Sequence, residues 1–263
     1  MIRVSDVLAA LFDAAPAYMK MEWDNVGLLC GRRTAAVTRV MVALDPMPDV
    51  FAEAKTHGCE LIVTHHPLIF QPVRAVSDES FTGENLLWLI ENGIAAVNLH
   101  TNLDCAPGGV NDILAKTLGL TDISVLDPMG QDAQGRDYGL IRTGTVAPCT
   151  LRAFAAHVKQ ALACPGVRFA DGGKPVHKVA VGGGSCGSEL EAVIAAGCDT
   201  FVTADLKYNH FEEAKYRGLN LIDAGHFETE NPVCAYLADI LHAAFPELEV
   251  FLSQTHRDET QFL

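Results

Sequence analysis

A chain of 263 residues, 49 % hydrophobic and 20 % charged, has enough apolar material for one large or two modest domains, which excludes a disordered protein. Its formal net charge of −14 disfavours nucleic-acid binding, which needs a cationic surface. No apolar run approaches the roughly 18 residues that a membrane-spanning helix needs.

The N-terminal segment has the pattern of an amphipathic helix. Its apolar residues recur at helical spacing, and the acidic residues Asp6 and Asp13 interrupt the apolar stretch, which excludes a signal peptide. The apolar positions are Val4, Val7, Leu8, Leu11 and Phe12. The eight cysteines are scattered without a CxxC pair, which indicates buried thiols in a reducing compartment. We therefore expect a soluble, cytoplasmic protein.

Strand and helix patterns alternate along the following residues. Strands are predicted over 37–45, 59–66 and 94–100, and helices over 47–58 and 80–93, each helix ended by a glycine. A second set of elements extends from 140 to 225, and residues 231–245 form a late amphipathic helix. This alternation is typical of an α/β protein with parallel strands.

A weak internal repeat relates the two halves of the chain at a constant offset of 139 residues. Val40 corresponds to Val179, and Gly58–Cys59 corresponds to Gly197–Cys198. Chance similarity between two strand–turn pairs is the alternative. The repeat predicts two similar α/β lobes, with mixed sheets flanked by helices, that arose by duplication.

Two adjacent histidines, His65 and His66, end a hydrophobic run and precede Pro67. Neighbouring strand residues point to opposite faces, so both imidazoles can face one cavity only where the strand ends and the backbone turns. Open α/β sheets bind ligands at the carboxyl ends of their strands. The pair is therefore a metal-binding or acid–base element, or else a turn whose histidines only make hydrogen bonds.

Two further predicted strand ends carry a histidine with a carboxylate four residues later. His100 precedes Asp104, and His226 precedes Glu230. If the residues after Gly225 are helical, this spacing places His226 and Glu230 on one helix face. Each motif alone is more often structural than functional, but three of them at equivalent strand ends favour a metal centre.

Imidazole and carboxylate groups together suit a divalent transition metal such as zinc, iron, manganese or nickel. The number of candidate ligands exceeds what one tetrahedral ion needs. Two cations about 3.5–4 Å apart, bridged by a carboxylate, would use them.

Four blocks in this sequence resemble the Nif3-like dinuclear-metal family, also called GTP cyclohydrolase I type 2 homologues. They are "WDNVGLLCG" (23–31), "THHPLIF" (64–70), "NLHTNLD…GGVND" (98–112) and "DAGHFETE" (223–230). The resemblance covers nearly the whole chain and implies two similar α/β lobes in a toroidal homohexamer whose metal sites face the interior. It implies two divalent cations per chain and five metal ligands: His65, His66, Asp104, His226 and Glu230. Glu230 is the expected bridge.

This resemblance suggests a division of the chain into two lobes. A metal-ligand-bearing lobe would comprise residues 1–126 and 226–263, and a second α/β lobe residues 127–225. Residues 127–138 are polar and Gly-rich, as expected of a boundary or crossing segment.

Other residues near these blocks have two interpretations each. His100 lies outside the implied ligand set, so we assign it a catalytic role in proton transfer or ligand support, against a strand-end hydrogen bond. Trp23 either lines the pocket or packs in the core. Asp24 and Asn25 either line the pocket or form a turn.

Two segments of the second half have polar or glycine-rich patterns. The Gly-rich stretch 181–190 is predicted to form a tight turn, with anion binding as an alternative, because it fits neither phosphate-binding motif. Lys207 and His210 lie at the strand end equivalent to His65–His66 and either meet an anionic substrate or belong to a solvated loop.

Two classes of function follow. The first is a metal-dependent hydrolase that opens a C–N or phosphoester bond of a small molecule, with a nucleotide as the substrate implied by the family label. The second is a non-catalytic metal-binding scaffold or regulatory interaction protein. Neither class involves a membrane or a nucleic acid.

Overall fold

The computed structural model describes all residues from Met1 to Leu263. Ten α-helices follow in chain order: α1 (Val4–Ala14), α2 (Pro48–Thr56), α3 (Phe81–Asn92), α4 (Thr101–Cys105), α5 (Val110–Thr117), α6 (Leu151–Ala161), α7 (Leu190–Ala195), α8 (Tyr208–Arg217), α9 (His226–Glu230) and α10 (Val233–Ala244). Two 3₁₀ turns cover Ala17–Met19 and Gly187–Glu189.

Thirteen strands accompany these helices. They are β1 (Gly27–Cys30), β2 (Arg39–Ala43), β3 (Leu61–Thr64), β4 (Ala95–Asn98), β5 (Thr121–Val125), β6 (Gly130–Gln131), β7 (Asp137–Tyr138), β8 (Arg142–Cys149), β9 (Arg168–Ala170), β10 (Val176–Val181), β11 (Thr200–Thr203), β12 (Asn220–Asp223) and β13 (Glu249–Leu252). The mixed α/β class predicted from the alternating pattern is confirmed.

The local signals that predicted helices act as expected. α3 begins at Ser80, whose hydroxyl accepts a hydrogen bond from Gly83 N at 3.1 Å. It ends at Gly93, whose φ of 67° needs a residue without a Cβ. α1 buries the apolar side predicted for it, and α10 is the predicted late helix. No helix is long and apolar enough to cross a membrane.

The chain forms two compact units. The first comprises Met1–Leu103 and Val233–Arg257, and the second Asp104–Pro232 and Asp258–Leu263. These boundaries differ from the division at 126/127 and 225/226 expected from the sequence. β5 pairs with β8 and α5 packs on β8 and β10, so residues 104–126 belong with the second unit.

The first unit is built around a five-stranded sheet of order β1-β4-β3-β2-β13. β4, β3, β2 and β13 are parallel, and β1 pairs antiparallel with β4 at one edge. β3 and β4 are buried at every position, which explains their nearly continuous apolar sequences. Helices α2 and α3 cover the sheet through a core that includes Phe51, Leu86 and Leu89.

The second unit contains a six-stranded sheet of order β5-β8-β10-β11-β12-β9. β10, β11 and β12 are parallel, and the remaining pairs are antiparallel. One apolar core lies around α5 and α6, and another around α7 and α8. The segment 127–138, expected to form a boundary, is instead the β6–β7 hairpin inside this unit.

The internal repeat appears in the strand registers of the two sheets. Val40 faces Leu61 in the first unit, and Val179 faces Thr200 in the second, so both partners differ by the same 139 residues. Gly58 and Gly197 both have positive φ, at 68° and 71°. Each unit thus contains three consecutive parallel strands with an antiparallel strand beside the third, as the duplication predicts.

Candidate metal centre

In the first unit, polar side chains follow the carboxyl ends of β2, β3 and β4. Asp45 lies two residues after β2, His65 and His66 follow β3 directly, and His100 lies two residues after β4. Because the three strands are parallel and adjacent, these residues gather at one edge of the sheet. The sequence-based placement of the histidines at strand ends is therefore confirmed.

A tight turn orients the adjacent pair. His66 N donates to Leu44 O at 2.9 Å, and the Thr64 hydroxyl donates to His66 O at 2.7 Å. The two imidazole planes are inclined at 46° with centroids 5.0 Å apart. The two rings therefore differ in orientation but remain close to each other.

The three histidines of the first unit form that cluster. The ring centroid of His100 lies 5.3 Å from that of His65 and 5.7 Å from that of His66. One ring nitrogen from each residue lies within 4.8 Å of the others, close enough to contribute to a common metal site. His65 is fully buried, and the other two side chains are 18 % and 15 % exposed.

Hydrogen bonds fix the orientation of all three rings. His65 Nδ1 lies 2.8 Å from Leu99 O, and since a carbonyl only accepts, Nδ1 carries the proton and Nε2 the lone pair. His66 Nδ1 lies 2.6 Å from Asp45 Oδ1, and His100 Nδ1 lies 2.8 Å from Asp24 Oδ1. Such contacts to oxygen acceptors are what metal-ligating histidines make with their other ring nitrogen.

Both carboxylates that support the histidines stay ionised. Burial alone would raise the pKa of Asp24, but hydrogen bonds from His100 and Thr101 outweigh it and lower the pKa to about 2. For Asp45 the effect of burial is likewise outweighed by His256 and His66, and its pKa falls well below the usual range. Each carboxylate therefore remains an acceptor for imidazole N–H at neutral pH.

In the second unit, α9 carries the third predicted motif. The segment after Gly225 is helical over His226–Glu230, so the i, i+4 spacing places both side chains on one helix face. His226 Nδ1 lies 2.8 Å from Asp205 Oδ2, and its Nε2 lies 3.1 Å from Glu230 Oε2. Asp205 follows β11, so a residue from the neighbouring parallel strand orients this histidine.

Two buried carboxylates come together beside His226. Asp104 and Glu230 are 5 % and 4 % exposed, and an oxygen of each lies within 4.8 Å of the other. Burial and the negative charges of these two groups raise the pKa of the Cys186 thiol well above its usual value. Like charges in a buried place repel each other, and a bound divalent cation would neutralise them.

The Gly-rich stretch is a tight turn, as predicted, and it lies against Glu230 and His226. Gly184 has a φ of +61°, and a Cβ there would overlap Glu230 Oε1 and stand 3.0 Å from His226 Nε2. Gly184 N donates to the Thr229 hydroxyl at 3.0 Å, and Gly183 N donates to Asn111 Oδ1 at 2.7 Å. The glycines therefore allow the turn to approach the carboxylate closely.

Asn111 and Arg142 fix the backbone around Asp104. The Asn111 amide, which is fully buried, donates to Asp104 O at 3.2 Å. The buried Arg142 guanidinium donates to the carbonyls of Cys105 and Ala106 and pairs with Asp112. The "GGVND" block thus supplies Asn111 and Asp112, which support the segment that carries Asp104.

The remaining sequence candidates have clear positions. Trp23 is 60 % exposed, so its interpretation as a core residue is wrong. Asp24 supports His100, and Asn25 Nδ2 donates to Ile69 O at 2.8 Å. Lys207 N donates to His210 Nδ1 at 3.2 Å at the start of α8, so both residues belong to a helix N-terminus.

The donor set fits divalent transition metals. Four histidines present Nε2 while Nδ1 contacts an oxygen acceptor. His226 Nε2 and Glu230 Oε2 lie 3.1 Å apart, so one cation could contact both atoms.

The fold and these two ligand sets define a mixed α/β protein with candidate divalent-metal ligands at strand ends in both units. A model of the Duf34/NIF3 (NGG1p interacting factor 3) family matches residues 2–259, so the chain belongs to the DUF34/NIF3 family. This finding confirms the family resemblance.

Relatives and solved structures agree with this assignment. The chain is 39 % identical to a Streptomyces coelicolor protein named GTP cyclohydrolase 1 type 2 homolog, over 98 % of this chain and 93 % of the relative. A Clostridium perfringens protein of the same name is 31 % identical over the full length of both. The structure of a Staphylococcus aureus hypothetical protein has a TM-score of 0.91 at 31 % identity, over 99 % of each chain. That of a Bacillus cereus protein related to NIF3 has a TM-score of 0.91 at 26 % identity, over 100 % of this chain and 99 % of the other.

Proposed function

We propose that this protein is a divalent-metal-dependent hydrolase with a dinuclear centre held by His65, His66, Asp104, His226 and Glu230. The observation that carries the proposal is the shared arrangement of the histidines, each with Nδ1 on an oxygen acceptor and Nε2 directed away from it. The surplus of ligands over the need of one ion supports two cations.

Within the second unit, Glu230 is proposed as the ligand that bridges the two cations. Glu230 has its carboxylate 3.1 Å from His226 Nε2 and within 4.8 Å of Asp104, which supports its role as the bridge. Two bound cations would lower the pKa of a water molecule and polarise the bond to be cleaved.

His100 is proposed to transfer a proton during hydrolysis. Its Nδ1 is held by Asp24, so Nε2 accepts the proton, and the ionised carboxylate stabilises the imidazolium that forms. A His100→Gln variant should retain its bound metal and lose turnover. Loss of metal together with turnover would instead make His100 a ligand, since its ring nitrogen clusters with those of His65 and His66.

The substrate is proposed to be a nucleotide, with GTP as the first compound to test, because relatives are named GTP cyclohydrolase 1 type 2 homologs. Metal-loaded protein incubated with GTP should give a product that is absent with His65→Ala. A protein that binds metal but turns over no nucleotide would be a metal-binding scaffold or interaction protein. The molecular mass of the purified protein in solution tests the homohexamer that the family resemblance implies.

A further inference from the structure

We propose that Trp23 and Phe70 form a stacking platform for a planar nitrogen heterocycle, such as a nucleobase, beside the histidine cluster. This inference rests on the proposed function and names the part of the substrate that the first unit recognises. Trp23 and Phe70 are 60 % and 50 % exposed, although both are large apolar side chains that proteins usually bury.

The two rings lie next to His100. Their centroids are 5.8 Å apart at an interplanar angle of 68°, an edge-to-face arrangement. The His100 ring lies 6.2 Å from each of them, at 72° to Trp23 and 81° to Phe70. A heterocycle stacked on either exposed ring would therefore lie beside the imidazole to which we assign proton transfer.

The residues after Trp23 hold it in this exposed position. The buried carboxylate of Asp24 accepts hydrogen bonds from His100 Nδ1, Thr101 N and the Thr101 hydroxyl. Asn25 is fixed by two bonds, because Asn98 Nδ2 donates to its carbonyl at 3.0 Å and its own amide donates to Ile69 O.

The second of these bonds joins the Trp23 segment to the segment that carries Phe70. Both neighbours on the C-terminal side of Trp23 thus anchor the backbone to the end of β4 and to the segment that follows β3, while the indole itself is exposed. A rigid aromatic surface loses little conformational entropy on binding. Aromatic side chains recognise bases by stacking, because every base has a π face.

The test uses metal-loaded Trp88→Phe protein, in which Trp23 is the sole indole. Trp88 stacks on Phe51 in the core of the first unit, and phenylalanine keeps an aromatic ring there. Guanosine and GTP should quench the Trp23 fluorescence saturably, and ribose 5-phosphate, which lacks a base, should not. Equal quenching by guanosine and GTP means that the base alone is recognised, and stronger quenching by GTP adds a phosphate contribution.

Phe70→Ala in this background should weaken guanosine binding about tenfold or more, while Phe81→Ala, which removes another exposed ring of the same unit, should not. An absence of quenching by guanosine, or unchanged binding by Phe70→Ala, overturns the platform. Failure of acrylamide to quench Trp23 in the ligand-free protein also overturns it, because the ring would then be covered by another copy. Metal content and GTP hydrolysis are measured separately, so guanosine binding without hydrolysis would reject the proposed activity and leave the platform intact.

Discussion

Gly184 lies so close to the carboxylate of Glu230 that a Cβ on it would overlap Oε1. The turn after β10 and the helix α9 therefore approach each other at a separation that only glycine permits. Because Glu230 is the proposed bridge between two cations, this contact makes the size of residue 184 a determinant of metal binding.

Gly184→Ala should abolish or strongly weaken metal binding, by at least tenfold in affinity, because the added methyl group must displace Glu230 or His226. Isothermal titration with Zn²⁺ or Mn²⁺ measures the effect. Gly197→Ala is the matched control, since Gly197 also has a positive φ of 71° but has no atom within 4 Å of an added Cβ. It should cost about 1 kcal/mol of stability and leave metal affinity unchanged.

Asp205→Asn should weaken metal binding about tenfold. The amide is a poorer acceptor for His226 Nδ1 than the carboxylate. Substituting a residue that supports a metal-bound histidine lowers metal affinity by about 10–100-fold. We expect the lower end of that range because the Asp205 side chain is 54 % exposed. Asp171→Asn, at an exposed position of the same unit, is the control, and equal affinities of the two variants would contradict the orienting role.

Removal of metal should reveal the repulsion between Asp104 and Glu230. In chelator-treated protein, Asp104→Asn should raise the free energy of unfolding, by on the order of 1 kcal/mol, because it removes one of two neighbouring buried charges. In the presence of metal the order should reverse, since only the wild type gains the free energy of metal binding. Thermal unfolding with and without metal measures both, with the exposed Asp127→Asn as a control. A lower stability of the metal-free variant would contradict the repulsion.

Two carboxylates outside the candidate ligand set, Glu53 and Glu60, should make stability depend on pH. Burial opposes ionisation of Glu53 and Glu60, but hydrogen bonds outweigh it and lower both pKa values below the ordinary 4.5. Glu53 accepts from residues 253–255, and Glu60 from Thr38 and Arg39. A lowered pKa stabilises the fold above about pH 4.5, and the stabilisation is lost as the pH falls through the folded-state values.

Between about pH 6 and about pH 3, the free energy of unfolding of the Glu53→Gln, Glu60→Gln double variant should therefore fall less than that of the wild type. Urea unfolding at each pH measures this difference. An identical pH dependence for both proteins would show that these hydrogen bonds do not favour the ionised carboxylates.

The sequence predicted the local features of the site well. The hydrophobic run before His65–His66 predicted a buried strand, and the i, i+4 spacing of His226 and Glu230 suits the short helix that they share. Both are local properties of the sequence. The offset of 139 residues also matched residues that occupy equivalent positions in the two sheets. These features depend on neighbours along the chain, so one sequence was enough to predict them.

The supporting residues could not be predicted in the same way. Asp45 and Asp205 each lie 21 residues before the histidine they contact, and the pairing depends on which strands are adjacent in the sheet. The overlap that a side chain on Gly184 would have with Glu230 likewise depends on packing between distant elements. The first unit boundary was placed too late because the pairing of β5 with β8 is not visible in local patterns. The second was placed too early because the packing of α9 on α5 joins distant parts of the chain.

The central proposal is that His65, His66, Asp104, His226 and Glu230 hold two cations. Elemental analysis of purified protein, beside a His66→Ala, Glu230→Gln double variant, tests it most directly, with circular dichroism to verify folding. The account predicts two equivalents of divalent metal per chain in the wild type and their loss in the folded variant. Retention of both equivalents in the variant would contradict the assignment of the centre.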